Sequence, residues 1–374
     1  MLHVIDSLAV GGAERMLVEL VNNLDPAVVN PVVCVTRNDM TLAGTIKDSI
    51  EVYRLQRKST WDARGLRKFG EIVRKREIDV IHAHGYSSSH FVAAAKGLNL
   101  LSLPFIMHAH DSEFPGISTR VISKLTIDHF IGVAPEIAEW AASYLRLPTK
   151  RITFLGNALD FSAYAAPTPL DVSPYFKPRP KFLGIVIANV RRVKDFEVML
   201  RAVALSQFRN EIGILVAGSL ADKDYVAQCL QLIRELGLSE SVVFLGISRE
   251  IPELLAAADF GLLSSDKESG PLALLEYMAS ALPFVATQVG HISQSAASAG
   301  LSGLVPKGDA VQFSNALDEL LQLTTSQQRA RGIAGKTFAL RQFDIKERAT
   351  RLQELYTLLL NERAGAKLKR NGVD

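Results

Sequence analysis

The chain has 374 residues, of which 48% are hydrophobic and 22% charged, and its formal net charge is +3. That length exceeds one ordinary core and suits two domains, each able to bury a substantial interior. So small a charge gives no argument for a nucleic-acid partner, and two cysteines, Cys34 and Cys229, make no disulfide framework and fit a reducing compartment. 

Met1 to Leu8 runs straight into a strand-like segment with no basic leader, and no run of about 18 apolar residues follows. A cytoplasmic protein is expected, with peripheral attachment to the inner face of the cytoplasmic membrane left open. Short β-type runs alternate with helical patterns: Leu2–Asp6, Pro31–Thr36, Val52–Leu55, Asp79–His82, Phe105–His108, His129–Val133 and Ile152–Leu155, with helices such as Ala13–Asn23, Gly65–Arg76, His90–Ala95 and Pro135–Leu145 between them. This rhythm predicts an α/β chain built on an open parallel sheet of the doubly wound type. Five prolines between 166 and 181 break it, because proline fixes φ and removes a donor, so this stretch reads as an interdomain linker. A second series follows, with strands Phe182–Ile187, Ile212–Ala217, Val242–Leu245, Phe260–Leu263, Phe284–Thr287 and Leu301–Val305. The expected division is 1–165, a linker 166–181, a second Rossmann-like domain 182–345, and a helix with a basic tail, 346–374, returning toward the first domain. Two such sandwiches would face each other across a cleft, with the chemistry in loops after strands.

Two of those loops stand out. Gly11 and Gly12 precede a helix, where the backbone can approach an anion; a plain tight turn explains them equally well. The segment Glu268 to Glu276 (ESGPLALLE) directly follows a strand. Pro271 suits a helix start, and amides from Gly270 through Leu272 to Ala273 suit a diphosphate. By position alone, Glu268 is either a cleft residue or a dipole partner, and Glu276 either a ribose ligand or a solvated helix charge.

The segment resembles the signature of the family 4 (group 1) glycosyltransferases, in which two glutamates are separated by seven residues. The resemblance extends along nearly the whole chain: the Gly11–Glu14 loop, Ile78 to His84 (IDVIHAH), Pro104 to Asp111 (PFIMHAHD), Phe154 to Asp160, Asn189 to Asp195 (NVRRVKD), Leu254 to Leu263, Pro283 to Gly290 and Gly303 to Asp309. It implies a GT-B fold and retaining transfer of a sugar from a nucleotide-diphosphate sugar (UDP- or GDP-linked), with no cofactor and no catalytic metal. It places Lys194, helped by Arg191, on the donor phosphates, His110 and Glu268 on the transferring sugar, and Glu276 on the ribose. Gly11, Gly12, Gly270, Pro271 and Leu272 complete the donor site. The implied acceptor is a saccharide or lipid-linked saccharide, as in cell-surface polysaccharide synthesis. A nucleotide-sugar epimerase or a non-catalytic nucleotide-sugar-binding protein on the same fold are the rivals.

Three patterns point elsewhere. His82/His84 and His108/His110 place two histidines on one strand face and could ligate a metal, but no cysteine or dense carboxylate cluster accompanies them. Asp222-Lys223-Asp224 spells a cation-binding Asp-x-Asp, yet stands where aspartates cap helices. Residues 54–76 carry nine basic residues against Asp62 and Glu71, which suits either a surface helix or contact with an anionic membrane. The usual family residues give way to Ser264, Ser269, His291 and Gln294, so the sugar itself is not legible.

Overall fold

The computed structural model describes residues 1–110 and 125–370, and side chains as far as 365. Asp111 of the PFIMHAHD motif and the basic tail beyond 365 lie outside the described side chains. The chain divides into two compact units, Met1–Ala158 with Ile345–Asp374, and Leu159–Asp344. No helix among the described residues is long and apolar enough to cross a membrane.

Unit 1 is a seven-stranded sheet, β1 (Leu2–Ile5), β2 (Val32–Val35), β3 (Glu51–Arg54), β4 (Ile81–His84), β5 (Phe105–Ala109), β6 (His129–Gly132) and β7 (Ile152–Phe154), in the order 3-2-1-4-5-6-7. Every pairing is parallel. The helices α1 (Gly12–Asn23), α2 (Ala63–Lys75), α3 (Tyr86–Gly97) and α4 (Pro135–Ser143) lie in crossovers between parallel strands, while β2 reaches β3 through a short 3-10 turn at Ala43–Thr45. On α2 the stripe Leu66, Phe69, Ile72, Val73 is buried and the charges lie outside it, the spacing of a helix with one apolar face.

Unit 2 repeats the scheme with six strands: β8 (Phe182–Ile187), β9 (Ile212–Ala217), β10 (Val242–Gly246), β11 (Phe260–Leu263), β12 (Phe284–Thr287) and β13 (Leu304–Val305), in the order 10-9-8-11-12-13. Its helices are α5 (Phe196–Leu205), α6 (Lys223–Glu235), α7 (Ile251–Ala257), α8 (Leu272–Ala279), α9 (Gly290–Ser298), α10 (Ala310–Gln322) and α11 (Thr325–Gln342); α12 (Ile345–Arg370) closes the chain. 

Several boundaries differ from the sequence reading. The switch between units falls at Ala158/Leu159, ahead of the prolines, because the segment 159–181 is packed on unit 2. Tyr164, Val172 and Phe176 are buried there among Leu254, Leu255 and Leu275, and the Leu170 amide donates to the Glu253 carbonyl at 3.0 Å. Strand β4 runs two residues further than the apolar run suggests, so His84 is a strand residue. Helix α11 has no large apolar stripe to betray it. Its buried residues are Gly332, Gly335 and Ala339, and a Cβ on Gly332 would collide with the Ala281 carbonyl. His291 and Gln294 both stand on helix α9.

The last helix belongs to unit 1. Ile345, Ala349, Leu352, Tyr356 and Leu359, spaced at helical period, pack with Met16, Leu20 and Leu24 of α1. Beneath Tyr356 the sheet carries a file of histidines. Register puts His3 beside His82 and His84 beside His108, so histidines from β1, β4 and β5 share one face with His110 at the end of β5. All are buried, His110 at 8% exposure being the least so. Burial pulls His3 and His110 down to about 3, and His82, His84 and His108 well below the ordinary imidazole value, the neighbouring rings adding to the effect on these three. 

These histidines set an acid limit on the fold. Unfolded imidazoles take up protons near pH 6.5, whereas the folded ones resist until far lower pH. Stability from this source is therefore complete above about pH 6.5 and is lost as pH falls, by up to ~1.4 kcal/mol per pH unit for each histidine. Urea unfolding between pH 7.5 and 5 is expected to show a midpoint that drops steeply below 6.5; an unchanged midpoint would contradict the neutral core.

Candidate functional site

In an open parallel sheet, the strands on either side of the order reversal send their helices to opposite faces and leave a crevice at their carboxyl ends. In unit 2 that point lies between β8 and β11, which are hydrogen-bonded neighbours. Lys194 follows β8 and Glu268 follows β11, so residues 74 apart in sequence arrive at one crevice.

They form an ion pair there, with side chains 15% and 13% exposed. The two loops are stitched by two further bonds, and a third holds Glu268 within its own loop. The Asp266 amide donates to the Val193 carbonyl at 3.0 Å, Ser264 Oγ to the Lys194 carbonyl at 3.0 Å, and Ser265 Oγ to Glu268 Oε1 at 2.8 Å. Asp195, at φ +45°, turns the chain from the lysine into α5. Gly290, at φ +76°, lies so close to the Glu268 and Ser269 carbonyls that a Cβ would meet them at 2.8 and 3.0 Å, and the His291 amide donates to Ser269 at 2.9 Å. Glu268, Gly290 and Gln294 line an open depression of about 450 Å³ with Asp266 and Lys307.

Pro271 is the residue capping α8 rather than its first residue, and Leu272 begins the helix. Amides in a helix's first turn have no partner within the helix, so an anion there is favoured. Glu276 is fully buried and Tyr164 Oη donates to its Oε1 at 2.8 Å, so it is not a solvated surface charge. Tyr164 sits in the segment 159–181, and no local pattern could have linked it to a glutamate 112 residues away.

Of the two arginines, Arg192 is engaged with Gln228 at 3.0 Å and lies over the Tyr225 ring at 5.5 Å. Arg191 is exposed and makes neither contact. Asn189 Oδ1 accepts from the Ser219 amide at 2.9 Å, and Gly218 packs so tightly on Ala188 and Asn189 that only hydrogen fits. This ties the Arg191–Lys194 turn to the end of β9. Asp222, from the Asp-x-Asp, caps α6 by accepting from the Tyr225 amide at 3.1 Å.

In unit 1, Gly11 caps α1 and Gly12 starts it. The Glu14 carboxylate folds back over Gly11, where a Cβ would clash with it, and accepts from Ser7 Oγ at 3.1 Å. Nearby, buried Arg57 binds Asp6 at 2.6 Å, Ser87 Oγ at 2.8 Å and Thr36 Oγ1 at 2.8 Å. Burial would raise the Asp6 carboxyl, but bonds from Ser87, Thr36 and Arg57 hold it below its ordinary value. Arg57 thus leaves the basic surface to which sequence alone assigns it.

The His-x-His pairs do converge. Nitrogens of His3, His82 and His84, and of His84, His108 and His110, lie within 4.8 Å of one another. They face each other in hydrogen bonds: His3 Nδ1 with His84 Nε2 at 3.0 Å, His84 Nδ1 with His110 Nε2 at 3.0 Å, and His82 Nε2 with His108 Nδ1 at 3.1 Å. Tyr356 Oη joins the two arms, at 2.7 Å from His82 Nδ1 and 3.5 Å from His3 Nε2.

Comparison with known proteins accounts for both units. The model described as Glycosyltransferase Family 4 matches residues 10–163, and that described as Glycosyl transferases group 1 matches 181–323. An N-acetyl-alpha-D-glucosaminyl L-malate synthase of Bacillus anthracis is 25% identical over 317 residues, 80% of each chain. Among solved structures, Anabaena HepE in complex with UDP and glucose superposes with a TM-score of 0.79 at 19% identity, covering 95% of this chain and 99% of that one. WaaG, a glycosyltransferase involved in lipopolysaccharide biosynthesis, gives 0.72 at 16% identity, covering 96% and 100%. With both sheets parallel and both halves matched, the chain belongs to the family 4 (group 1) glycosyltransferases and has the GT-B fold.

Proposed function

We propose that this glycosyltransferase moves a sugar, with retention of anomeric configuration, from a nucleotide-diphosphate sugar to a saccharide or lipid-linked saccharide acceptor in surface polysaccharide synthesis. The observation that carries the donor half is the Lys194–Glu268 pair at the strand-order reversal of unit 2. A diphosphate reaching Lys194 replaces the carboxylate as its partner, and Glu268 is then available to accept from sugar hydroxyls. Arg191 adds a second cation against the charge that develops on the departing diphosphate. The N-terminal end of α8, with Gly270 and Pro271 ahead of Leu272, faces the same anion with its helix dipole. Glu276 takes the ribose, its carboxylate oriented by Tyr164. On unit 1, His110 serves the transferring sugar, and Gly11 and Gly12 let the backbone come close to the donor. The resemblance to HepE, whose structure holds UDP and glucose, favours a UDP-sugar, and the Bacillus anthracis relative makes an N-acetylglucosaminyl product. Retention and the acceptor class rest on the family resemblance.

The basic stretch offers an acceptor-side surface. Arg64, Arg67, Lys68, Arg74 and Lys75 are exposed on α2, and Trp61 beside them is 66% exposed. Cations at an anionic membrane contribute about 1 kcal/mol each, and an exposed indole suits the headgroup layer. Arg67 pairs with Glu71, which lessens the patch.

Three outcomes test these assignments. Lys194→Ala and Glu268→Ala are each expected to lower transfer by about 10²-fold or more with the fold intact by circular dichroism; near-normal turnover would refute the donor site. A thermal-shift screen of UDP-, GDP- and ADP-sugars is expected to single out the donor, since a ligand at 100 times its Kd adds about 2.7 kcal/mol. The combined change of Arg64, Arg67, Lys68, Arg74 and Lys75 to glutamine is expected to abolish sedimentation with phosphatidylglycerol vesicles, and unchanged binding would remove the membrane face.

A further inference from the structure

The histidine file is continuous. From its most exposed member it runs His110, His84, His3, Tyr356, His82, His108, each joined to the next by one hydrogen bond. It ends at His108 Nε2, which is buried and has no hydrogen-bond partner among the described residues. A neutral imidazole has one N–H and one bare nitrogen, so each ring that donates at one end must accept at the other. If the Tyr356 hydroxyl accepted from both His3 and His82, its own buried O–H would be left without an acceptor, so it accepts at one link and donates at the other, and two arrangements remain. In one, all five histidines carry the proton on Nε2, and the bonds run from His110 toward His108. In the other, all five carry it on Nδ1, and the bonds run the opposite way. Burial keeps the rings neutral at ordinary pH, so both arrangements are free of charge.

The two differ only at the ends. The all-Nε2 form leaves a buried N–H at His108 with nothing to receive it. The all-Nδ1 form leaves a bare nitrogen there, and unpaired buried acceptors are tolerated more often than unpaired buried N–H groups. The second form is therefore the stable one. His110 Nε2 is committed to His84, which makes Nδ1 the nitrogen that can meet a ligand. Because the file stops at an unpaired nitrogen, it has no exit for a proton among the described residues and orients rather than conducts.

We propose that His84 and His3 are positioning residues that lock His110 in its Nδ1–H tautomer, so that it meets a substrate oxygen as a hydrogen-bond donor. The functional half of this rests on the assignment of His110 to the transferring sugar; the tautomer itself does not.

The test reads tautomers directly. Long-range proton–nitrogen spectra of the unliganded, full-length, ¹⁵N-histidine-labelled protein at pH 7.5 are expected to show Nδ1–H for His110 and for its four companions. A His110 with its proton on Nε2, or rings of mixed tautomer, would overturn the proposal. Two near-isosteric variants give the second arm. His84→Asn places an amide donor where His84 Nδ1 stands and is expected to keep the His110 tautomer. His84→Asp places an acceptor there, turns His110 to Nε2–H, and is expected to lower kcat about tenfold relative to His84→Asn, with little change in KM for the donor. Both variants remove the bond to His3 alike, so equal kcat values would sink the positioning role. Since the spectra need no substrate, failure to transfer any sugar would count against the proposed function alone.

Discussion

The Lys194–Glu268 ion pair is the constraint around which unit 2 is arranged. Two opposite charges at about one-seventh exposure must lie close together, and neither loop could hold its charge there unaided. The strand order brings the loops together, Ser264 and Asp266 sew them, and Ser265 holds Glu268. Gly218 and Gly290 let neighbouring backbone come near enough to brace them. A partly buried ion pair gains little net stability, because desolvation offsets much of the attraction. Under the proposed donor assignment, a diphosphate would take over the ammonium without a new cation being buried.

Unit 1 follows the opposite electrostatic rule. Its central strands present neutral imidazoles to one another, and buried Arg57, paired with Asp6, is also bound by Thr36 and Ser87. A parallel sheet with five histidines on one face is costly in acid and specific at neutral pH, because each ring dictates the proton position of the next. Tyr356 extends that order to the last helix, so the chain's C-terminal segment helps organise a strand end that begins the chain.

Much of this was legible in the primary structure. Alternating β runs and helical stripes announce parallel sheets, because buried parallel strands are apolar throughout and their crossover helices have one apolar face. Helix α11 was not, since a helix seated on glycines carries no hydrophobic period. The prolines at 166–181 mark the end of regular structure but not the unit boundary, because Val172 and Phe176 find a core that only the folded sheet supplies.

For the site, residue type and order along the chain determined which groups are available: the cations after β8, one glutamate ahead of a capped helix and one within it, and the paired histidines. Pairing was beyond local pattern. That Glu268 meets Lys194, that Glu276 meets Tyr164, that Arg192 is spent on Tyr225 and Gln228, and that Arg57 turns inward were decided by tertiary structure. The physical reason is the same in each case. These contacts are set by strand order and helix packing across tens of residues, where the period of a helix or strand carries no information, while the chemistry each side chain can offer is its own.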